Sequence, residues 1–161
     1  MPAVPLSGSR RRFLVRSVAF TTGLFGLSMV PRRPLLAAPE AMQELIRKII
    51  GDAALQVGKV RLDVPALVEN GNTVPLMVSV ESPMTEKDHV KAIHIINEKN
   101  PQPHVISVRL GPPAGRATLS TRIKLKDSQQ LIAIAETSDG SFWSGTADVI
   151  VTLAACVEDR P

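Results

Sequence analysis

The side chains of this chain that are able to do chemistry are few. There is one cysteine, Cys156, near the C-terminus, and there are three histidines. A lone thiol cannot form a disulfide within its own chain, so in an oxidising compartment Cys156 is either an intermolecular link or a reactive group. His89, His94 and His104 show neither an HExxH pattern nor the spacing of a Cys/His zinc site. We therefore predict surface or loop histidines and no metal site.

Motifs of conventional catalysis and cofactor binding are also missing from the sequence. Ser141 is followed by Phe and Trp, without the glycine spacing of a nucleophile elbow. The glycines of Gly111–Gly115 are interrupted by prolines, which prevents a phosphate-binding loop. The sequence thus predicts a protein that is not an enzyme, with no catalytic residues and no cofactor.

The first 38 residues have the pattern of an export signal. The run SRRRFL, residues 9–14, precedes an apolar stretch at 17–30 that is too short to span a bilayer stably. Arg10 and Arg11 before Phe-Leu are typical of a twin-arginine signal, and an ordinary secretory signal is the alternative. We expect cleavage near residue 38 and a mature protein that lies in the periplasm without contact to a membrane.

The basic character of the chain lies in this leader. The full chain has a formal net charge of +4, yet six of its 19 Lys and Arg residues and none of its 15 acidic residues precede residue 39. The remainder carries 13 basic and 15 acidic residues. Because it also lacks a Lys/Arg cluster and has few aromatic residues, the electrostatic footprint of a nucleic-acid-binding protein is missing. We exclude nucleic acid as a partner.

The remaining chain is long enough for one domain with a real core. Apolar residues recur with helical spacing from Glu40 to Ile50, and Gly51 follows as a helix terminator. After that helix the apolar period changes to two, which predicts half-buried strands separated by turn residues. We predict seven strands, at 60–64, 74–80, 90–96, 105–110, 117–125, 131–136 and 147–153. This spacing indicates an all-β fold, an immunoglobulin-like antiparallel β-sandwich with a short N-terminal helix.

The second half of the chain, from Asn97, closely resembles the SoxY family of the periplasmic Sox thiosulfate-oxidising system. The runs STRIKLKDSQ, AETSDGSFW and ADVIVTLAAC carry the resemblance, which extends more weakly back to the helix near Glu40. The resemblance implies an immunoglobulin-like sandwich at 39–153 and, at 154–161, a C-terminal arm that carries sulfur intermediates covalently on Cys156. It also implies a SoxZ-like partner, a thiol-ligating haem enzyme, a sulfate-releasing hydrolase and a sulfur dehydrogenase.

The arm departs from the pattern of the family, which is GGCGG. Here Ala154 and Ala155 precede the cysteine, and Val157 is followed by Glu-Asp-Arg-Pro. Alanines stiffen the arm relative to glycines, and the two carboxylates add charge. Besides a sulfur carrier, two interpretations remain: a sandwich subunit that carries no sulfur, and a periplasmic redox or metal-binding module.

Overall fold

The structure is a computed structural model and describes residues 39–155. This part of the chain begins with one amphipathic helix. Helix α1 spans Glu40–Ile50 and buries Met42 and Ile46. It ends at Gly51, whose φ of 59° favours glycine and whose N–H donates to Arg47 O over 2.8 Å. The predicted helix is thus confirmed with the predicted bounds.

Strands make up most of the rest of these residues. In chain order they are β1 (Leu55–Val57), β2 (Val60–Asp63), β3 (Leu67–Asn70), β4 (Val74–Val80), β5 (Val90–Asn97), β6 (His104–Arg109), β7 (Ala117–Ile123), β8 (Gln129–Thr137) and β9 (Phe142–Leu153). Each of the seven predicted strands corresponds to one of these. The sequence pattern missed β1 and β3, and it placed the start of the last strand too late.

The strands form two sheets that face each other. The larger sheet has the order β1-β9-β8-β5-β6, and β3 pairs with the second half of β9. The smaller sheet has the order β2-β4-β7. Neighbours are antiparallel, except that β1 and β3 run parallel to β9. The predicted immunoglobulin-like β-sandwich is confirmed.

Strand β8 is buried on both faces, which explains its nearly continuous apolar sequence. Leu131 and Ala133 face the core between the two sheets. Ile132 and Ile134 face the other way and pack against α1 through a second cluster that contains Met42. Within residues 39–155, no helix has the length and hydrophobicity that crossing a bilayer requires.

The two sheets approach closely where β2 passes β9. A Cβ atom added to Gly145 would lie 2.3 Å from the carbonyl oxygen of Val60, a distance that two such atoms cannot adopt. The N–H of Gly58 also donates to Ser144 O over 3.1 Å in this region. A glycine at position 145 is therefore required for the sheets to meet.

Candidate functional site

Of the residues that the sequence predicted for the carrier arm, the structure describes two. Ala154 and Ala155 belong to the described residues, whereas Cys156 and Val157 lie outside them, as do Arg10 and Arg11 of the leader. The described part of the site is thus the attachment of the arm to the sandwich. It lies directly after β9.

Ala155 is tied to the domain although it was predicted as part of the arm. Only 6% of its surface is exposed, and its N–H donates to Leu125 O over 3.0 Å. The preceding residue, Ala154, is exposed. The two alanines of the predicted arm therefore differ: Ala154 is exposed to solvent, and Ala155 is packed against the body of the domain.

The turn between β3 and β4 completes this attachment. Gly71 donates its N–H to Leu153 O and accepts the N–H of Leu125, each over 2.8 Å. A Cβ at position 71 would lie 2.3 Å from Leu125 O and 2.9 Å from the nitrogen of Ala155. We call Gly71, Leu125, Leu153 and Ala155 the arm anchor. The sequence predicted turn residues before the strand at 74–80, but it did not reveal the contact of Gly71 with the C-terminal segment.

Exposed apolar side chains lie near the arm anchor, both in the sequence and along the paired strands β3 and β9. Leu67 on β3 pairs with Ile150 on β9, and their exposed fractions are 61% and 59%. Their neighbours Val68 and Val149 are buried in the core, so Leu67 and Ile150 face away from it. Leu153, at the end of β9, is 62% exposed. We call Leu67 and Ile150 the apolar pair.

Two of the three histidines meet on the larger sheet, which the sequence pattern did not reveal. His94 Nδ1 lies 2.7 Å from Ser107 Oγ, and His104 Nε2 lies 2.8 Å from the same oxygen. His89 is elsewhere, with Nδ1 3.0 Å from Thr85 O. Among the described residues, no group of three or more His, Cys, Asp or Glu side chains is arranged to hold a metal ion.

The electrostatic surroundings of His94 favour its neutral form. Burial is the largest effect and lowers the pKa of His94, and the neighbouring His104 lowers it further. The carboxylate of Glu136 acts in the opposite direction and raises this pKa. Glu136 is itself paired with the ammonium group of Lys91.

The fold and the anchored C-terminus define a class of protein: a two-sheet immunoglobulin-like sandwich that leads, through a tied segment, to a terminal thiol. The sequence model of the family described as sulfur oxidation protein SoxY matches residues 46–156. The chain belongs to the SoxY family. No curated protein sequence matches the chain significantly.

Solved structures agree with this fold. The sulfur carrier protein SoxY from Chlorobium limicola f. thiosulfatophilum has 22% identity and a TM-score of 0.60, with 70% of this chain and 97% of that chain covered. The superoxide reductase (neelaredoxin) from Ignicoccus hospitalis has 20% identity and a TM-score of 0.52, covering 58% and 80%. The superoxide reductase from Nanoarchaeum equitans has 12% identity and a TM-score of 0.51, covering 60% and 100%. At these identities the similarity concerns the fold.

Proposed function

We propose that this protein is a covalent carrier of sulfur intermediates in thiosulfate oxidation, with Cys156 as the attachment residue. The observation that carries the proposal is the extent of the family match, which runs from residue 46 to the single cysteine of the chain. The protein then presents the substrate and does not act as the catalyst. Partner enzymes perform the chemistry.

The chemistry on the thiol has two steps. In the first, the thiolate of Cys156 and thiosulfate form an S–S bond while two electrons pass to a haem-containing partner, giving a cysteine S-thiosulfonate. In the second, water attacks the terminal sulfonate group, sulfate leaves, and a persulfide remains on the cysteine. An ordinary cysteine has a pKa of about 8.5, so only a few per cent is thiolate at neutral pH, and the partner site must supply the activation.

The arm anchor limits how far this thiol reaches. Ala155 is buried and hydrogen-bonded to Leu125, and successive Cα atoms are about 3.8 Å apart. While the anchor holds, the thiol can therefore extend from the sandwich only by the length of its own residue. We therefore expect partner enzymes with shallow sites to accept this carrier directly, and those with deep channels to require release of the anchor.

The carrier assignment is tested by intact-protein mass spectrometry after incubation with thiosulfate and the oxidising partner. We expect a mass increase that corresponds to a thiosulfonate adduct and that disappears in Cys156→Ser. A carrier with a glycine-flanked cysteine serves as the positive control for the partner. If that control is loaded and this protein is not, the carrier proposal is wrong, and the buried Ala155 then favours a sandwich subunit that carries no sulfur.

We also propose that a SoxZ-like protein covers the apolar pair. Leu67 and Ile150 are more than half exposed and lie side by side, Leu67 on β3 and Ile150 on β9, the strand that leads into the arm. Burial of such side chains drives association, because complete burial of an exposed Leu or Ile contributes roughly 1.5–3 kcal/mol and more than half of each surface is still exposed here. A partner at this face would contact β9, the strand that leads into the arm.

The partner proposal is tested by co-purification with the SoxZ-like protein encoded by the same organism. We expect Ile150→Glu to abolish the complex without loss of the fold. Met77 on β4 of the smaller sheet is also exposed, at 47%, so Met77→Glu is the matched control and should leave the complex intact. Equal effects of the two substitutions would place the partner elsewhere.

Export to the periplasm through the twin-arginine route completes the proposal. It rests on the SRRRFL run before the apolar stretch at 17–30. We expect Arg10→Lys combined with Arg11→Lys to block the appearance of the processed protein in periplasmic fractions. Unchanged export of this double variant would indicate the general secretory route.

A further inference from the structure

A β-bulge brings two histidines to one point on the outer face of the larger sheet. His94 on β5 pairs with Ser107 on β6, and the register then shifts so that Ile96 pairs with His104. His104 and Ser107 are three residues apart, so on a regular strand without that shift their side chains would face opposite sides. The bulge turns His104 to the side of Ser107, and β-bulges are frequent where a side chain must be re-aimed at a functional site.

The two imidazole rings converge on one oxygen. Because His94 Nδ1 and His104 Nε2 are 2.7 and 2.8 Å from Ser107 Oγ, the two nitrogens are at most about 5.5 Å apart. A tetrahedral zinc ion binds imidazole nitrogens at about 2.0–2.1 Å, so two nitrogens that share one ion lie about 3.4 Å apart. The rings must therefore turn so that the two nitrogens approach by up to about 2 Å, and the exposed His104 has room for this movement.

We propose that His94 and His104 form a two-histidine site for a divalent transition-metal ion, with Zn²⁺ as the probe, and that water fills the remaining positions. Imidazole is a suitable ligand for zinc, copper and nickel ions. Since the described residues offer no third His, Cys, Asp or Glu, the site holds an exchangeable ion with open positions. This proposal is independent of the sulfur-carrier function.

The charges around the two histidines favour a bound cation over a bound anion. The nearby carboxylate of Glu136 adds negative potential, although the ammonium group of Lys91 pairs with it. Neutral imidazole is the form that binds metals.

The test is calorimetric titration of the purified protein with ZnCl₂, in the Cys156→Ser background so that the thiol cannot bind the ion. The chain has three histidines, and the third, His89, is bonded to Thr85 O away from the site. We expect His94→Gln and His104→Gln each to raise the Kd about tenfold or more, because even residues behind metal ligands contribute 10–100-fold. His89→Gln is the matched control and should change the Kd less than about twofold.

A spectroscopic measurement shows which rings bind. In a ¹H–¹³C correlation spectrum, the imidazole resonances of His94 and His104 should shift together with added Zn²⁺ while those of His89 stay in place. Equal affinity in all three variants, or a common shift of all three histidines, would show adventitious surface binding and overturn the proposal. Retained melting temperatures confirm that each variant is folded.

Discussion

Replacing Ala155 by glycine is expected to release the C-terminal arm from the sandwich. The variant loses a buried methyl group, since Ala155 is only 6% exposed, and this costs about 0.8 kcal/mol. It also gains backbone freedom in the released state, worth about 0.5–1 kcal/mol. Together these changes favour release by about 1.5 kcal/mol, which is roughly tenfold in the ratio of released to anchored arm.

Ala154→Gly is the matched control for this prediction. Ala154 is exposed, so the substitution adds the same backbone freedom but removes no buried methyl. We expect its released fraction to rise only about two- to fivefold. The contrast between the two variants therefore isolates the packing of a single methyl group.

Hydrogen exchange of the amide of residue 155 measures the released fraction. This amide donates to Leu125 O in the anchored state, so it exchanges only when the arm opens. We expect the exchange rate to rise about tenfold in Ala155→Gly and clearly less in Ala154→Gly. Equal rates in both variants, or an unprotected amide in the parent protein, would refute the anchor. Sulfur loading by a partner with a deep channel should also accelerate, and more in Ala155→Gly than in Ala154→Gly.

Two further predictions concern the sandwich itself. Gly145→Ala should lower the free energy of unfolding by about 3 kcal/mol or more, because the new Cβ would lie 2.3 Å from Val60 O. Gly111→Ala is the control and should be neutral, since its Cβ would meet no atom closer than 3.7 Å. The urea midpoints of the two variants test this prediction. Hydrogen bonds from the Thr137 hydroxyl and from backbone N–H groups hold the pKa of Asp139 well below its ordinary value. The ionised carboxylate of Asp139 therefore stabilises the fold above about pH 4, and this stabilisation is lost as the pH falls. The urea midpoint should therefore drop more between about pH 6 and pH 3 in the parent than in Asp139→Asn.

The sequence predicted most elements of this fold because local patterns determine them. Helix α1 has a 3.6-residue apolar period, and the seven strands that the sequence predicted have a period of two or are buried on both faces. Strands β1 and β3 have three and four residues and are defined by parallel pairing with the distant β9. Such short edge strands have no periodicity of their own to detect.

The contacts that form the sites were beyond sequence reasoning for the same physical reason. Gly71 and Ala155 are far apart in the sequence and meet only after β3 pairs with β9. His94 and His104 share Ser107 only because the ladder shifts by one residue between Ile95 and Ile96. The resemblance to the SoxY family predicted a thiol carrier, but long-range register decides which groups lie beside one another.

The arm anchor gives a quantitative account of how this carrier differs from one with a glycine arm. Opening it breaks one hydrogen bond, worth about 0.5–1.5 kcal/mol, and exposes one methyl group, worth about 0.8 kcal/mol. The arm is then released in about one molecule in ten to one in fifty. A partner that needs the extended arm binds with an apparent affinity reduced by that factor, whereas a partner that approaches the anchored end is unaffected. Under the proposed carrier function, we therefore expect Ala155 to act as a selectivity element that discriminates between partners by the depth of their sites, without any change in the thiol.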